Sequence, residues 1–244
     1  LLLLLIPQLL LSGVIVKFHK LNPTITSQKN VPIAGEVMAS RWAFEALAVN
    51  QFKNNEFEKQ FYDYEKAISY ADFRKNYWLS KMRAKLEACE GAMNDPAKKD
   101  QFAEDLNLLK NEIEQELRRV KKASFAGVQS LVPGKFNASV AESAREYFDA
   151  LNKIYIKRSN DNSNEKDKLV AEKVKTEAAK EEFLALKNAY ENESLNDLVK
   201  NGSEMDKILE KDGEIIQRAD PVFLDPEGFK AHFFAPRKKI FGKY

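Results

Sequence analysis

One stretch of the sequence organises the rest of the chain: Ser40-Arg41-Trp42-Ala43-Phe44-Glu45-Ala46-Leu47-Ala48-Val49-Asn50-Gln51-Phe52. It places apolar, aromatic and ionisable residues on one predicted helix that is too apolar to be solvated on all sides. Helical spacing brings four of its residues near one face: Trp42, Glu45, Val49 and Phe52. Arg41 and Glu45 are four residues apart and are close enough to pair. From spacing alone, an ordinary buried helix with one ion pair remains an open interpretation.

The residues before this stretch are strongly apolar. Residues 1–18 begin with a run of leucines, and Pro7, Gln8, Ser12 and Lys17 interrupt the apolar character. A full membrane span needs about 20 apolar residues, so we expect the end of a span followed by a re-entrant or interfacial helix. A buried helix of a soluble protein is the alternative. Because the chain starts without methionine, we expect it to be a segment of a longer protein.

The residues after the stretch show helical periodicity. Apolar residues recur at steps of three and four, which predicts long helices over residues 54–91, 96–122, 138–158 and 164–191. The polar run Ser159 to Glu165 is expected to be an exposed turn. Two short amphipathic helices are expected around 195–199 and 205–209, and short extended pieces around 214–218 and 221–224. The predicted fold is mostly α, with long antiparallel helical hairpins or a bundle, membrane-proximal helices at the N-terminal end and little or no β.

Composition and motifs argue against several functional classes. The net charge of +2 gives no basic footprint for nucleic acid. Cys89 is the single cysteine, so the sequence offers no disulfide framework and no cysteine-rich zinc site. The phosphate-loop motif Gly-x-x-x-x-Gly-Lys-Ser/Thr and the zinc motif His-Glu-x-x-His are both missing. We therefore predict no catalytic, cofactor-binding or metal-binding residues in this chain.

The order of features resembles a known family. An apolar run with Ser12-Gly13, then Val31-Pro32, then Arg-aromatic-small-x-Glu-small, and finally Asn-Gln-aromatic is similar to the outward-facing stretch after the fifth membrane span of G-subfamily ABC transporters, in the type-two exporter class. The likeness covers residues 1–60 and, weakly, Pro236 to Tyr244, which would lead into the last span. The long middle of the chain is most similar to the insertion of bacterial members of this group.

The resemblance implies a function and a set of residues. The chain would be the periplasmic part of a bacterial inner-membrane ABC exporter permease, helping to gate or dock substrate or partners. The parent protein would use ATP and magnesium in a separate nucleotide-binding domain and would act as a dimer. The family-motif residues, expected to hold a short helix at the outer surface of the membrane, are Arg41, Trp42, Glu45, Asn50 and Phe52.

This interpretation divides the chain into three parts. Residues 1–53 would be the end of a span with interfacial helices, residues 54–220 a helical insertion domain, and residues 221–244 a return segment toward the next span. Membrane lipid would contact both ends, and a periplasmic protein could bind the insertion. The alternative hypothesis is a soluble helical scaffold or adaptor that binds partner proteins through coiled-coil-like hairpins.

Overall fold

The computed structural model describes residues 31, 33–225 and 233–236. The described chain is mostly helical with one small two-stranded antiparallel sheet, which confirms the predicted fold class. The helices, in chain order, are α1 (Ile33–Glu36), α2 (Ala39–Lys53), α3 (Tyr62–Phe73), α4 (Leu79–Ala92), α5 (Lys99–Arg119), α6 (Ala138–Lys173), α7 (Glu177–Tyr190) and α8 (Glu193–Lys200). The strands are β1 (Ile208–Lys211) and β2 (Glu214–Gln217).

The chain divides into two compact units. Unit 1 takes its described residues from Leu1–Lys66, Glu165–Met205 and Ala219–Tyr244, and unit 2 consists of Ala67–Asn164 and Asp206–Arg218. The chain therefore leaves unit 1 and returns to it twice. The three functional parts expected from the sequence, with limits at residues 53 and 220, concern the membrane and stay predictions.

The core of unit 1 is built around one face of α2. Ala48, Val49 and Phe52 lie on that face and are buried. They pack with buried residues from later parts of the chain, namely Tyr62, Val199, Val222, Phe223 and Phe234. The rings of Phe52, Tyr62 and Phe223 contact one another with centroid distances of 5.3–6.4 Å. Apolar residues that are distant in the sequence thus pack against the buried face of α2.

The second predicted helix begins later than expected. Asn55 turns the chain after α2, because its side-chain oxygen accepts hydrogen bonds from the backbone N–H groups of Phe57 and Glu58 at 2.9 and 2.7 Å. Such a local turn competes with helix formation. A short 3₁₀ turn, Glu58–Gln60, follows, and α3 begins only at Tyr62.

Unit 2 contains the part of the apolar seam predicted for the helix over residues 54–91 that lies beyond Lys66. A π-helical segment, Arg74–Trp78, joins α3 to α4. The seam residues Ala71, Trp78, Met82 and Cys89 are fully buried. α4 packs against α5, which contributes the buried residues Phe102, Leu106, Leu109 and Ile113. The connection after α5 forms a 3₁₀ turn, Ala126–Ser130, flanked by the buried residues Phe125 and Leu131.

The exposed turn predicted for Ser159 to Glu165 is wrong, because α6 continues through it to Lys173. Polar side chains in this run are accommodated on the helix. Asn162 donates to the carbonyl of Arg158 at 2.8 Å, and Ser159 donates to Asp72 at 2.9 Å. The break comes instead before α7, where Thr176 caps the helix by accepting from the N–H of Ala179 at 3.2 Å.

The short helix predicted around residues 205–209 is also wrong, since β1 occupies Ile208–Lys211. β1 pairs with β2 in the register Leu209 to Ile216. Asp212 and Gly213 both have positive φ, as the two-residue type I′ hairpin turn requires. The extended piece predicted around 214–218 is confirmed by β2, whereas Pro221–Phe223 forms a 3₁₀ turn rather than an extended piece.

The predicted membrane segments lie mostly outside the described residues. The span end and interfacial helix expected within 1–30 and the cationic end of the chain from residue 237 are not described. Among the described helices, none has both the length and the apolar character needed to cross a bilayer.

Candidate functional site

The predicted pair of Arg41 and Glu45 forms and is buried. Both side chains lie on the inner face of α2, where an Arg41 Nη1–Glu45 Oε2 ion pair joins them across one helical turn. The Arg41 guanidinium also donates from Nε to the carbonyl of Gly35 at 2.8 Å and from Nη2 to Glu36 Oε2 at 3.1 Å. Each nitrogen of this fully buried cation therefore has an acceptor, which offsets its desolvation.

Glu45 also binds the far end of the described chain. Its Oε1 atom accepts a hydrogen bond from the backbone N–H of Phe234 at 3.0 Å, across 189 residues of sequence. Phe44 supports this contact, because its ring lies 6.4 Å from that of Phe233 and 6.0 Å from that of Phe234. Glu45 thus ties the beginning of the described chain to its end within unit 1.

Trp42 does not share the buried face, contrary to the sequence prediction. Its side chain is 42% exposed, and its Nε1 donates to the carbonyl of Glu36 at 2.8 Å. Arg41 takes the inner position instead, because Arg41, Glu45 and Phe52 repeat at helical spacing and Trp42 is rotated about 100° from Arg41. The Arg41 guanidinium lies over the Trp42 ring, 4.0 Å from its centroid. Trp42 thus shields the ion pair from the outside.

The two remaining motif residues, Asn50 and Phe52, lie in different environments. Phe52 is buried in the aromatic core of unit 1. Asn50 is exposed and accepts a hydrogen bond from the side chain of Asn54 at 2.7 Å. The structure therefore brings Arg41, Trp42 and Glu45 together, while Asn50 and Phe52 lie near the other end of α2.

A second polar cluster, in unit 2, was missed by the sequence analysis. Glu112 and Glu116 of α5 are buried beside the guanidinium of Arg74, whose Nη1 lies 3.4 Å from Glu116 Oε2 and 4.0 Å from Glu112 Oε2. Glu112 accepts from Trp78 Nε1 at 2.6 Å and from the N–H of Ile215 at 2.7 Å. We call Arg74, Glu112 and Glu116, with their hydrogen-bond partners, the buried charge cluster.

Two phenols complete the buried charge cluster. Glu116 Oε1 accepts hydrogen bonds from Tyr155 and, at 3.2 Å, from Tyr70. Burial raises the pKa of both tyrosines, and the Glu116 carboxylate raises it further, so they stay protonated as donors. Burial alone would lower the pKa of Arg74, but Glu116 and the other groups around it raise it overall.

One signal in the sequence could have revealed the buried charge cluster. Glu112 and Glu116 are four residues apart and flank Ile113 on the apolar stripe of α5. From the sequence alone they resemble acidic residues placed to interact favourably with the positive, N-terminal end of the helix dipole. The structure places them in the second half of α5, where the dipole does not favour a negative charge. An acidic residue on an apolar stripe is expected to be buried, and a buried carboxylate needs a cation or hydrogen-bond donors beside it.

Two further kinds of group bear on possible chemistry, namely clusters of metal-ligating side chains and the single thiol. No three His, Cys, Asp or Glu side chains in residues 31, 33–225 and 233–236 are grouped so as to hold a metal ion. Burial raises the pKa of the Cys89 thiol to about 12, which keeps it protonated and weakly nucleophilic at neutral pH. His19 and His232 lie outside the described residues.

Comparison of the chain with protein-family models, with curated proteins and with solved structures gave no match. The resemblance to G-subfamily ABC transporters therefore depends on the motif around Arg41 and Glu45 and stays a prediction.

Proposed function

We propose that this chain is the periplasmic part of a bacterial ABC exporter permease of the G-subfamily type. Its two ends approach the membrane, and the helices between them form an insertion that helps to gate or dock substrate or a periplasmic partner. The chain itself does no catalysis. ATP and magnesium act in a separate domain of the parent protein, which works as a dimer in the inner membrane.

The contact between Glu45 and Phe234 is the observation that carries this proposal. An insertion between two successive spans must leave and re-enter the membrane at neighbouring points. Residues 31–53 follow the expected first span, residues 233–236 precede the expected next one, and the Glu45 carboxylate holds them together. The residues between these two segments can then form a separate helical region while the two expected spans stay adjacent.

The outer face of the α1–α2 segment gives further support. Val37, Trp42 and Leu47 are exposed, with 75%, 42% and 69% of their surfaces accessible. The helical positions between them, Ala43 and Ala46, are also exposed and apolar. An exposed helix face without charges suits a location at the membrane interface, where Trp is favoured.

A soluble scaffold remains the second candidate. Leu184 and Tyr190 on α7 are exposed, and Met205 is 94% exposed. Apolar side chains on the surface of unit 1 suit a protein partner as well as a membrane-anchored neighbour. The two candidates differ in where the protein resides, which can be measured directly.

Cysteine labelling in intact cells tests the proposal. In the intact protein that contains this chain, Cys89→Ala removes the thiol of this chain and Ser143→Cys adds one at an exposed position of α6. We expect the protein in the membrane fraction, and we expect a membrane-impermeant maleimide to label position 143 from the periplasm. Cys89→Ala without Ser143→Cys is the matched control, because it differs from the labelled variant only at position 143. Labelling only after lysis, with the protein in the soluble fraction, would favour the scaffold.

A further inference from the structure

The buried charge cluster of unit 2 contains hydrogen-bonding atoms that the protein does not satisfy. Arg74 Nε, Glu116 Oε2 and the Tyr147 hydroxyl are buried and make no hydrogen bond to the described residues. Glu116 Oε2 has cations nearby, at 3.4 Å in Arg74 and 3.8 Å in Arg119, but without hydrogen-bond geometry. Buried polar groups in native proteins are almost always paired with protein or with ordered water.

Tyr147 belongs to the same compact unit as the two charged groups. Its side chain is buried and stacks on Phe125 with ring centroids 5.7 Å apart. Burial raises the pKa of Tyr147, so its hydroxyl stays protonated and can donate as well as accept a hydrogen bond. One N–H donor, one carboxylate acceptor and one hydroxyl that can do either are therefore buried in unit 2 without a partner among the described residues.

The charges around these atoms indicate a neutral occupant. An added anion would face the carboxylates of Glu112 and Glu116, and an added cation would face the guanidinium groups of Arg74 and Arg119. Water is neutral, supplies two donors and two acceptors, and is the usual partner of buried polar groups left by the protein.

We propose that unit 2 binds ordered internal water, hydrogen-bonded to Arg74 Nε, Glu116 Oε2 and the Tyr147 hydroxyl. The water completes the hydrogen bonding of the buried charge cluster at the point where the π-helical segment begins. A fully satisfied polar network makes the helices of a core adopt one arrangement, whereas a partly satisfied one is costly. This site does not depend on the transporter assignment.

A crystal structure of the whole chain tests the proposal directly. At a resolution that shows ordered water, we expect density at a hydrogen-bond distance of about 2.7–3.2 Å from Arg74 Nε and Glu116 Oε2. A dry site with these side chains in the same positions would overturn the proposal.

A pair of tyrosine variants gives an independent test with a predicted sign. If water binds the Tyr147 hydroxyl, Tyr147→Phe loses a hydrogen bond, and the unfolding temperature of the whole chain should fall by about 3 °C. If the hydroxyl has no partner, the same change removes an unsatisfied buried group, and the unfolding temperature should stay the same or rise, which would overturn the proposal. Tyr190→Phe, at an exposed position of α7, is the control and should leave the unfolding temperature unchanged.

Discussion

Arg74 and Glu116 bring opposite charges within 3.4 Å of each other inside unit 2, although 42 residues separate them in the sequence. Both side chains are buried. Such a pair costs desolvation when it forms, but removing only one partner leaves the other charge buried and poorly compensated. The stability of unit 2 should therefore depend strongly on this pair.

We expect Glu116→Ala to lower the free energy of unfolding by about 3 kcal/mol, because Arg74 would keep only the more distant Glu112 and the phenols of Tyr70 and Tyr155 would lose their acceptor. Urea denaturation of the whole chain measures the change. Glu114→Ala, on the same helix but only half-buried, is the control and should change stability by less than about 0.5 kcal/mol. Equal effects of the two variants would show that the buried charge cluster contributes little.

The junction between Glu45 and Phe234 makes a prediction for unit 1. Glu45→Ala would leave the buried Arg41 with Glu36 as its carboxylate partner and would remove the acceptor of the Phe234 N–H. We expect a loss of about 3 kcal/mol in unfolding free energy and faster hydrogen exchange at the Phe234 amide.

Asn50→Ala is the matched control for Glu45→Ala, because Asn50 lies on the exposed side of α2 and its side chain bonds to Asn54, one helical turn away. It should leave the exchange rate of the Phe234 amide unchanged. Unchanged exchange in Glu45→Ala as well would mean that the carboxylate does not hold the return segment in solution.

Glu58 and Glu65 in unit 1 should respond to pH in opposite directions. Burial raises the pKa of Glu58, and the neighbouring charge of Glu65 raises it further. For Glu65, burial alone would raise the pKa, but the hydrogen bond from Lys166 at 2.7 Å and the charge of Lys200 at 3.1 Å lower it below 4.5 overall.

The signs follow from linkage between protonation and folding. Because the folded pKa of Glu65 is lowered, its stabilisation is present above the unfolded value of 4.5 and disappears as the pH falls through the folded pKa. Because the folded pKa of Glu58 is raised, its contribution is fully present below 4.5 and is lost as the pH rises through the folded pKa.

At neutral pH we therefore expect Glu65→Gln to lower the unfolding free energy and Glu58→Gln to raise it. Unfolding free energies measured between about pH 3 and pH 7 check both signs. In Glu65→Gln the unfolding free energy should fall less steeply as the pH decreases. In Glu58→Gln the decrease in unfolding free energy that accompanies ionisation of Glu58 should disappear. The two variants serve as controls for each other, and a shift of the same sign in both would contradict the assigned pKa directions.

The continuity of α6 through residues 159–165 predicts the effect of proline. Asn162→Pro should destabilise by about 3 kcal/mol, because proline in a helix interior removes a hydrogen bond and clashes with the preceding turn. Glu177→Pro is the control, because Glu177 is the first residue of α7, where proline is tolerated. Thermal unfolding of both variants, followed by far-UV circular dichroism, distinguishes them. If Asn162→Pro is as stable as the native protein, the continuous helix is contradicted and the turn expected from the polar sequence is favoured.

Local periodicity in the sequence determined much of this protein. The mostly helical class, the apolar stripes of α4 and α5 and the pairing of Arg41 with Glu45 all depend on contacts three or four residues apart, so they could be predicted without knowing the fold. The polar run Ser159 to Glu165 misled the prediction, because its composition favours turns although each side chain is accommodated on a helix.

Only the tertiary structure decided which distant groups the buried charges contact. Glu112 contacts Arg74 and accepts from the N–H of Ile215, and Glu116 accepts from Tyr155. Glu45 accepts from the N–H of Phe234. These partners are 38 to 189 residues apart in the sequence. The free energy of a buried charge depends on whether a partner reaches it after both have left water. That partner is set by the packing of distant elements, and local spacing carries no information about it.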